Sequence, residues 1–225
     1  MNVPALRFKG DDGLESSEWQ QQSLTNLAKV YDGTHMTPEY QESGIPFYSV
    51  EHVTANQFAN TKYISEEVFE KENKRVKLER GDILMTRIGD IGTPKYIDWD
   101  VNASFYVSLA LIKQSLKINS LFLSHYIKTN IFQKELHQRI IHVAFPKKIN
   151  LGEIGNCNVA YPNDAEQTKI ANFLTAVDEK IQHLTQKAAL LAQYKKGVMQ
   201  QIFSQELRFK DDDGGEFPAW GGVLF

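Results

Sequence analysis

Between residues 113 and 148 the chain carries seven cationic side chains: Lys113, Lys117, Lys128, Lys134, Arg139, Lys147 and Lys148. The same span holds a single acid, Glu135, although the 225-residue chain has a formal net charge of −3. Positive charge concentrated in this way is the footprint of a polyanion, and an ordinary solvated helix face gives the same count. Lys and Arg neutralise phosphates, with hydroxyl groups as neutral donors, and base edges are read by Arg, Lys, Asn and Gln at loop or helix tips. Six residues fit these roles by type and place. Arg87 leaves the apolar run Ile83–Met85, and Lys95 follows a loop containing Gly89, Gly92 and Pro94. Lys147 and Lys148 lie in the loop His142–Leu151 beside Phe145 and Pro146. Thr34 and His35 lie in the segment Tyr31–Pro38, dense in hydroxyl, imidazole and phenol groups. The plain alternative is surface charge for the cations, and side-chain bonds that merely hold the turn for Asp32 and Thr34.

Other chemistries lack their signatures. The sequence has no phosphate-binding GxxxxGK[ST] loop, no HExxH and no GxSxG. His137 and His142 are five positions apart with no third metal ligand nearby, and Cys157 is the only cysteine, which excludes a disulfide framework and a CxxC pair. The apolar fraction of 42% is enough for a packed core. No uninterrupted run of about eighteen apolar residues is present, and the start MNVPALRFKGDD lacks a signal-peptide core. The expectation is a cytoplasmic protein that does not cross a membrane.

The elements that must position these residues follow from periodicity. Short strands are expected at Ile45–Val50, Ile83–Arg87, Phe105–Lys113 and Ile154–Tyr161. Helices are expected at Ser65–Lys71 and at Ser120–Gln138, the latter capped by Ser120. Gly89–Lys95 reads as a tight loop, and Lys9–Gly13 as a turn. From Asp164 to Phe203 apolar residues recur in alternating steps of four and three: Ile170, Leu174, Val177, Ile181, Leu184, Ala188 and Leu191, then Val198 and Ile202, with Lys195 as the break. That heptad seam belongs to a helix of about forty residues and about 60 Å that needs a partner along its length. Pro162 ends the preceding strand, and Asp164 with Gln167 reads as the helix cap. The fold class expected is α+β: a mixed globular domain over 1–162, a coiled-coil-forming helix over 163–205, and a tail over 206–225.

The tail repeats the beginning. Arg208-Phe209-Lys210 and Trp220 match Arg7-Phe8-Lys9 and Trp19 at the same internal spacing, 201 positions later. One globular segment plus one long helix therefore reads as a unit, and a second unit begins at Arg208.

These motifs together resemble the specificity subunit of type I restriction-modification enzymes. The resemblance rests on Asp32-Gly33-Thr34-His35 with Thr37-Pro38 and Gly44-Ile45-Pro46-Phe47. It rests also on Gly81-Asp82-Ile83-Leu84 with Arg87 and Gly89-Asp90-Ile91-Gly92, and on Pro162 leading into Glu166-Gln167-Thr168-Lys169-Ile170. The helix continues in the same style through Asp178, Ile181 and Lys195-Lys196-Gly197 to Gln201-Ile202-Phe203. The resemblance implies a non-catalytic subunit whose recognition domain reads a short half-site on double-stranded DNA. It implies a long helix that serves as spacer and docking surface. S-adenosylmethionine would belong to separate modification subunits, and ATP and magnesium to a restriction subunit. Members resemble two such units in tandem, whereas this chain has one and the start of another, so self-association through the helix is expected. Two rival classes remain: a coiled-coil interaction adaptor that never touches DNA, and a stand-alone nuclease or methyltransferase.

Overall fold

A computed structural model describes residues 6–9 and 18–221. The elements in chain order are β1 (Gln20–Ser23), α1 (Leu24–Leu27), β2 (Val30–Asp32), β3 (Ile45–Tyr48), α2 (Val50–Ala55), β4 (Lys62–Ile64), α3 (Glu66–Asn73) and β5 (Ile83–Ile88). They continue with β6 (Asp90–Tyr96), β7 (Ser104–Phe105), β8 (Leu109–Ile112), α4 (Ser120–Ile127), α5 (Asn130–Arg139), α6 (Leu151–Gly155), β9 (Asn158–Tyr161) and α7 (Asp164–Phe203). The class is the α+β arrangement expected, ending in a 40-residue helix with the expected limits. The turn expected at Lys9–Gly13 lies largely outside the described residues. Contacts divide the chain into two units, up to Leu174 and from Thr175 onward.

The first unit is organised around an antiparallel sheet in the order β2-β8-β5-β6. Its two central strands are apolar on both faces, as strands covered on both sides must be. Ile83, Met85, Ala110 and Ile112 face one core, with Phe122, Leu123 and Ile127 of α4, Phe132 and Leu136 of α5, Ile154 of α6 and Val159 of β9. Leu84, Leu109 and Leu111 face another, with Tyr48, Val53, Ile97 and Phe105. Asp82, wholly buried, fixes the entry to β5. Its carboxylate accepts from the amides of Glu79 and Gln114 at 2.8 and 2.9 Å and from Lys113 Nζ at 2.7 Å.

Four local expectations change. Gly89–Lys95 is not a loop but the turn and strand of the β5–β6 hairpin. Pro94 is tolerated because β6 lies at the sheet edge, and the register shift opposite Met85–Arg87 accommodates Gly92, whose φ is +93°. Phe105–Lys113 is two strands, β7 and β8, in different sheets. Ser120–Gln138 is two helices, because Thr129 caps a new one by accepting from Phe132 N. Asn119, not Ser120, caps the first, and Ile131 is left exposed beyond the break. Ile154–Tyr161 begins as the end of the short helix α6, which seats Ile154 and Cys157 in the core before β9 starts.

The start of α7 belongs to this first unit. Asn163 supplies the cap, its Oδ1 accepting from Glu166 N at 2.9 Å. Gln167 does reach Asp164, its Nε2 donating to Oδ1 at 3.4 Å, but it is buried and its shorter bonds go elsewhere: it donates to Pro162 O and accepts from Asn119 N, both at 2.9 Å. Glu166 is also buried, and Arg7 grips its carboxylate with two bonds of 2.7 and 2.8 Å. Phe8 packs on Phe173 with ring centroids 5.7 Å apart, and Lys169 Nζ donates to Lys9 O. Ile170 packs on the first core and Ala171 is part of it. The first turns of α7 thus pack with the globular unit, and the contacts divide the chain after Leu174.

In the second unit Val177, Ile181, Leu184 and Leu191 are exposed, while Val198 and Ile202 are half-buried. The tail closes on itself. The backbones of Lys210 and Glu216 pair as an antiparallel β-bridge, Arg208 donates to Phe217 O at 2.8 Å, and Phe203 and Trp220 pack with ring centroids 6.1 Å apart.

Replacing Arg7 by Ala withdraws the guanidinium from a carboxylate that remains buried. The variant is expected to lose about 1.5–3 kcal/mol in urea unfolding. An unchanged midpoint would show that the Arg7 segment merely lies against the helix.

Candidate nucleic-acid interface

Arg87 is one of the six residues the sequence offers for DNA contact, and the structure places it inside the protein, with 7% of its surface exposed. Its backbone continues β5 past the register shift. Thr86 fills the irregularity there, donating to Asp90 Oδ2 and accepting from Thr93 N. The Arg87 guanidinium then turns inward. Nε donates to Val107 O at 2.9 Å and Nη1 to Ile149 O at 3.1 Å, and Nη2 lies 3.9 Å from Asp32 Oδ2. Burial lowers its pKa and the Asp32 charge opposes the shift. Arg87 is a structural cation that joins three segments and leaves little surface for a DNA contact.

Asp32 collects charge from several directions. His35 Nε2 bonds one carboxylate oxygen, and Arg75, overlooked in the sequence, bonds the other oxygen and the carbonyls of Asp32 and Gly33. Burial pushes the carboxyl pKa up, but Arg75 and His35 together outweigh it and hold it below the ordinary aspartate value. Gly33 sits so close to the next strand that a Cβ would lie 2.1 Å from Phe105 O. Thr34 is drawn in with it. Its amide donates to Phe105 O, its carbonyl accepts from Val107 N, and its hydroxyl is buried without a hydrogen bond. Thr34 is therefore not a surface donor, whereas most of the His35 ring is exposed.

Lys147 and Lys148 are exposed, and their backbone is tied to the same network. Gly89 N donates to Lys147 O, Ile141 N to Lys148 O and Ile149 N to Arg87 O. The structure thus brings His35, Thr34, Arg87, Lys147 and Lys148 together through one set of bonds. Lys95 stays out of it, half-buried over the rings of Phe58 and Trp99 at 5.7 and 5.3 Å, where burial lowers its pKa.

The basic span itself is thinner than its count. Lys113 is spent on Asp82 and Glu79, Arg139 on Glu135 and Glu153, and Lys117 donates to Asn26 O. What remains beside the loop is the outer face of α5, where Asn130, Lys134, His137 and Gln138 are exposed. Cations and amides of this kind serve phosphates and base edges. Cys157 is no nucleophile, because burial pushes its thiol up to about 12.

The family model described as "Type I restriction modification DNA specificity domain" matches residues 16–193, the globular unit and much of α7. Two specificity subunits of type I restriction enzymes from Methanocaldococcus jannaschii, MjaX and MjaVIII, are each 24% identical, over 96% and 90% of this chain. The alignments cover 55% and 49% of those proteins, so the chain spans about half the length of the curated relatives it matches. Among solved structures, the S subunit of a type I restriction-modification system from M. genitalium superposes with a TM-score of 0.62 at 14% identity. That match covers 91% of this chain and 49% of the other. The HsdS subunit from Thermoanaerobacter tengcongensis gives 0.53 at 14% identity, over 84% and 46%.

The charge network yields a pH test. A carboxylate whose folded pKa is depressed contributes fully above its unfolded pKa, and the contribution is lost as pH falls through the folded value. Asp32→Asn is expected to cost about 1–3 kcal/mol at pH 7. Urea unfolding should show the gap to the parent chain shrinking below the ordinary aspartate range. A gap of the same size at pH 7 and pH 3 would remove Asp32 as the charged hub.

Proposed function

The chain belongs to the type I restriction modification DNA specificity domain family, and from that premise we propose that it reads one DNA half-site for a type I restriction-modification complex. The single observation that carries the reading is that the family match runs through the globular unit and on along α7 to residue 193. The recognition surface is the loop carrying Lys147 and Lys148, with His35 and the outer face of α5. The chain itself is non-catalytic. Modification subunits supply S-adenosylmethionine for adenine methylation, and a restriction subunit supplies ATP- and magnesium-dependent cleavage.

The long helix supplies assembly. Val177, Ile181, Leu184 and Leu191 recur at heptad spacing and are all exposed on the isolated chain. An apolar stripe of this kind is covered by another helix. A second copy presents the same stripe, and two copies provide two recognition domains related by a two-fold axis. No helix among the described residues is long and apolar enough to cross a membrane.

Two measurements test this. Sedimentation at micromolar concentration is expected to show a dimer for the parent chain and a monomer for Ile181→Asp combined with Leu184→Asp; a parent monomer would leave the seam to a modification subunit. In gel shifts on duplex DNA, Lys147→Ala with Lys148→Ala is expected to weaken binding on all sequences and to lower the slope of log affinity against log salt by about 2. Unchanged affinity and slope would remove the loop from the interface, and no binding by the parent chain at any salt would favour a coiled-coil adaptor.

A further inference from the structure

The same loop carries two side chains that phosphate contact does not explain. Val143 and Phe145 are 97% and 102% exposed, at the tip of a turn between His142 and Lys148. Single exposed apolar residues are common on protein surfaces. Here two of them cap one projection whose base is braced by the bonds already described: Gly89 N to Lys147 O, Ile141 N to Lys148 O, and the Arg87 guanidinium on Ile149 O. At the tip, Ala144 N donates back to Ile141 O, and the His142 ring bonds His137 O.

We propose that this loop is a wedge, with Phe145 at its point, which enters the stack of base pairs in bound duplex DNA and bends it. The proposal rests on the DNA-reading function above and assigns a residue which that function does not require. The occupant follows from charge and shape together. The loop has no acid between Ile140 and Leu151. Lys147 and Lys148 stand at its base and Lys134 on the neighbouring helix face, all exposed. A duplex offers phosphates for the lysines and, between its base steps, an apolar slot for an aromatic ring. Apolar wedges flanked by cations are the recurring way proteins unstack and kink DNA. A protein partner of ordinary composition has no comparable use for the cations beside the ring.

The bracing explains the buried Arg87 in the same terms. A wedge must keep its direction while the duplex resists, so its base has to be tied to the sheet. Arg87 is a positioning residue for the loop and does not itself reach DNA.

The test uses the full chain and a duplex enriched by that chain from a random-sequence pool, labelled with donor and acceptor dyes at its two ends. Phe145→Ala is expected to lower affinity for this duplex about tenfold and to return the end-to-end transfer efficiency to that of free DNA. Its thermal midpoint should be unchanged, since the side chain touches nothing in the fold. Phe145→Leu, which keeps an apolar point, is expected to retain most of the bend. Lys147→Ala with Lys148→Ala is expected to lower the salt slope, whereas Phe145→Ala leaves it in place. If the parent chain enriches a duplex and Phe145→Ala binds and bends it equally, the wedge is wrong and the DNA-reading function stands. If the parent chain enriches nothing, both fall together.

Discussion

A carboxylate taken out of water needs a cation beside it, and the architecture of this chain depends on meeting that need at Glu166. The residue sits in the first turn of α7, buried beside Gln167, where Arg7 returns from the far end of the unit to hold it. The bond closes the globular unit into a ring: the amino-terminal segment, the first turns of the long helix and the core beneath α4 become one body. Phe8 on Phe173 and Ile170 on the core add apolar burial to the same junction. The apolar seam of α7 is divided: Ile170 packs on the globular core, and Val177, Ile181, Leu184 and Leu191 are exposed.

A second buried charge does for the proposed recognition surface what Glu166 does for the start of the helix. Arg87 spends its donors on Val107 O and Ile149 O, which lie far apart in sequence, and shares Asp32 with Arg75 and His35. The cost of desolvating a guanidinium is met by fixed carbonyls and one carboxylate rather than by a ligand. The gain is geometric. The exposed groups, His35, Lys147 and Lys148, stand on segments whose backbones are tied through this one residue. One cation is buried to hold position and others are left in water, an arrangement that suits the phosphate contacts proposed above.

How much of this could be read from the sequence depends on the range of the interaction. The limits of α7 were legible, because heptad spacing and Pro162 are local signals. So was α3, whose Ser65 cap and acidic first turn lie within a few residues. The β5–β6 hairpin was not, because Gly89, Gly92 and Pro94 signal a loop unless the strand is known to lie at an edge with a register shift. The break between α4 and α5 was hidden because Thr129 looks like one more polar position on a helix face. The roles of Arg87, Arg75 and Arg7 could not be read at all: their partners lie 62, 43 and 159 positions away. Of the candidate DNA residues, Lys147, Lys148 and His35 are presented to solvent, Arg87 and Thr34 are consumed by the fold, and Lys95 rests on aromatic rings. The charge count over 113–148 overstated the interface because it could not show which lysines and arginines already had carboxylates.

The proposed function sets one recognition unit on each of two copies paired through α7, and the symmetry of the bound DNA tests this most directly. Sequencing the duplexes that the full chain enriches from a random pool should return a two-part palindrome: one short half-site, a gap of fixed length, and its inverted repeat, because a two-fold axis sets identical readers on opposite strands. A single asymmetric site with no inverted partner would contradict the account, and so would two half-sites whose separation varies freely from one sequence to the next.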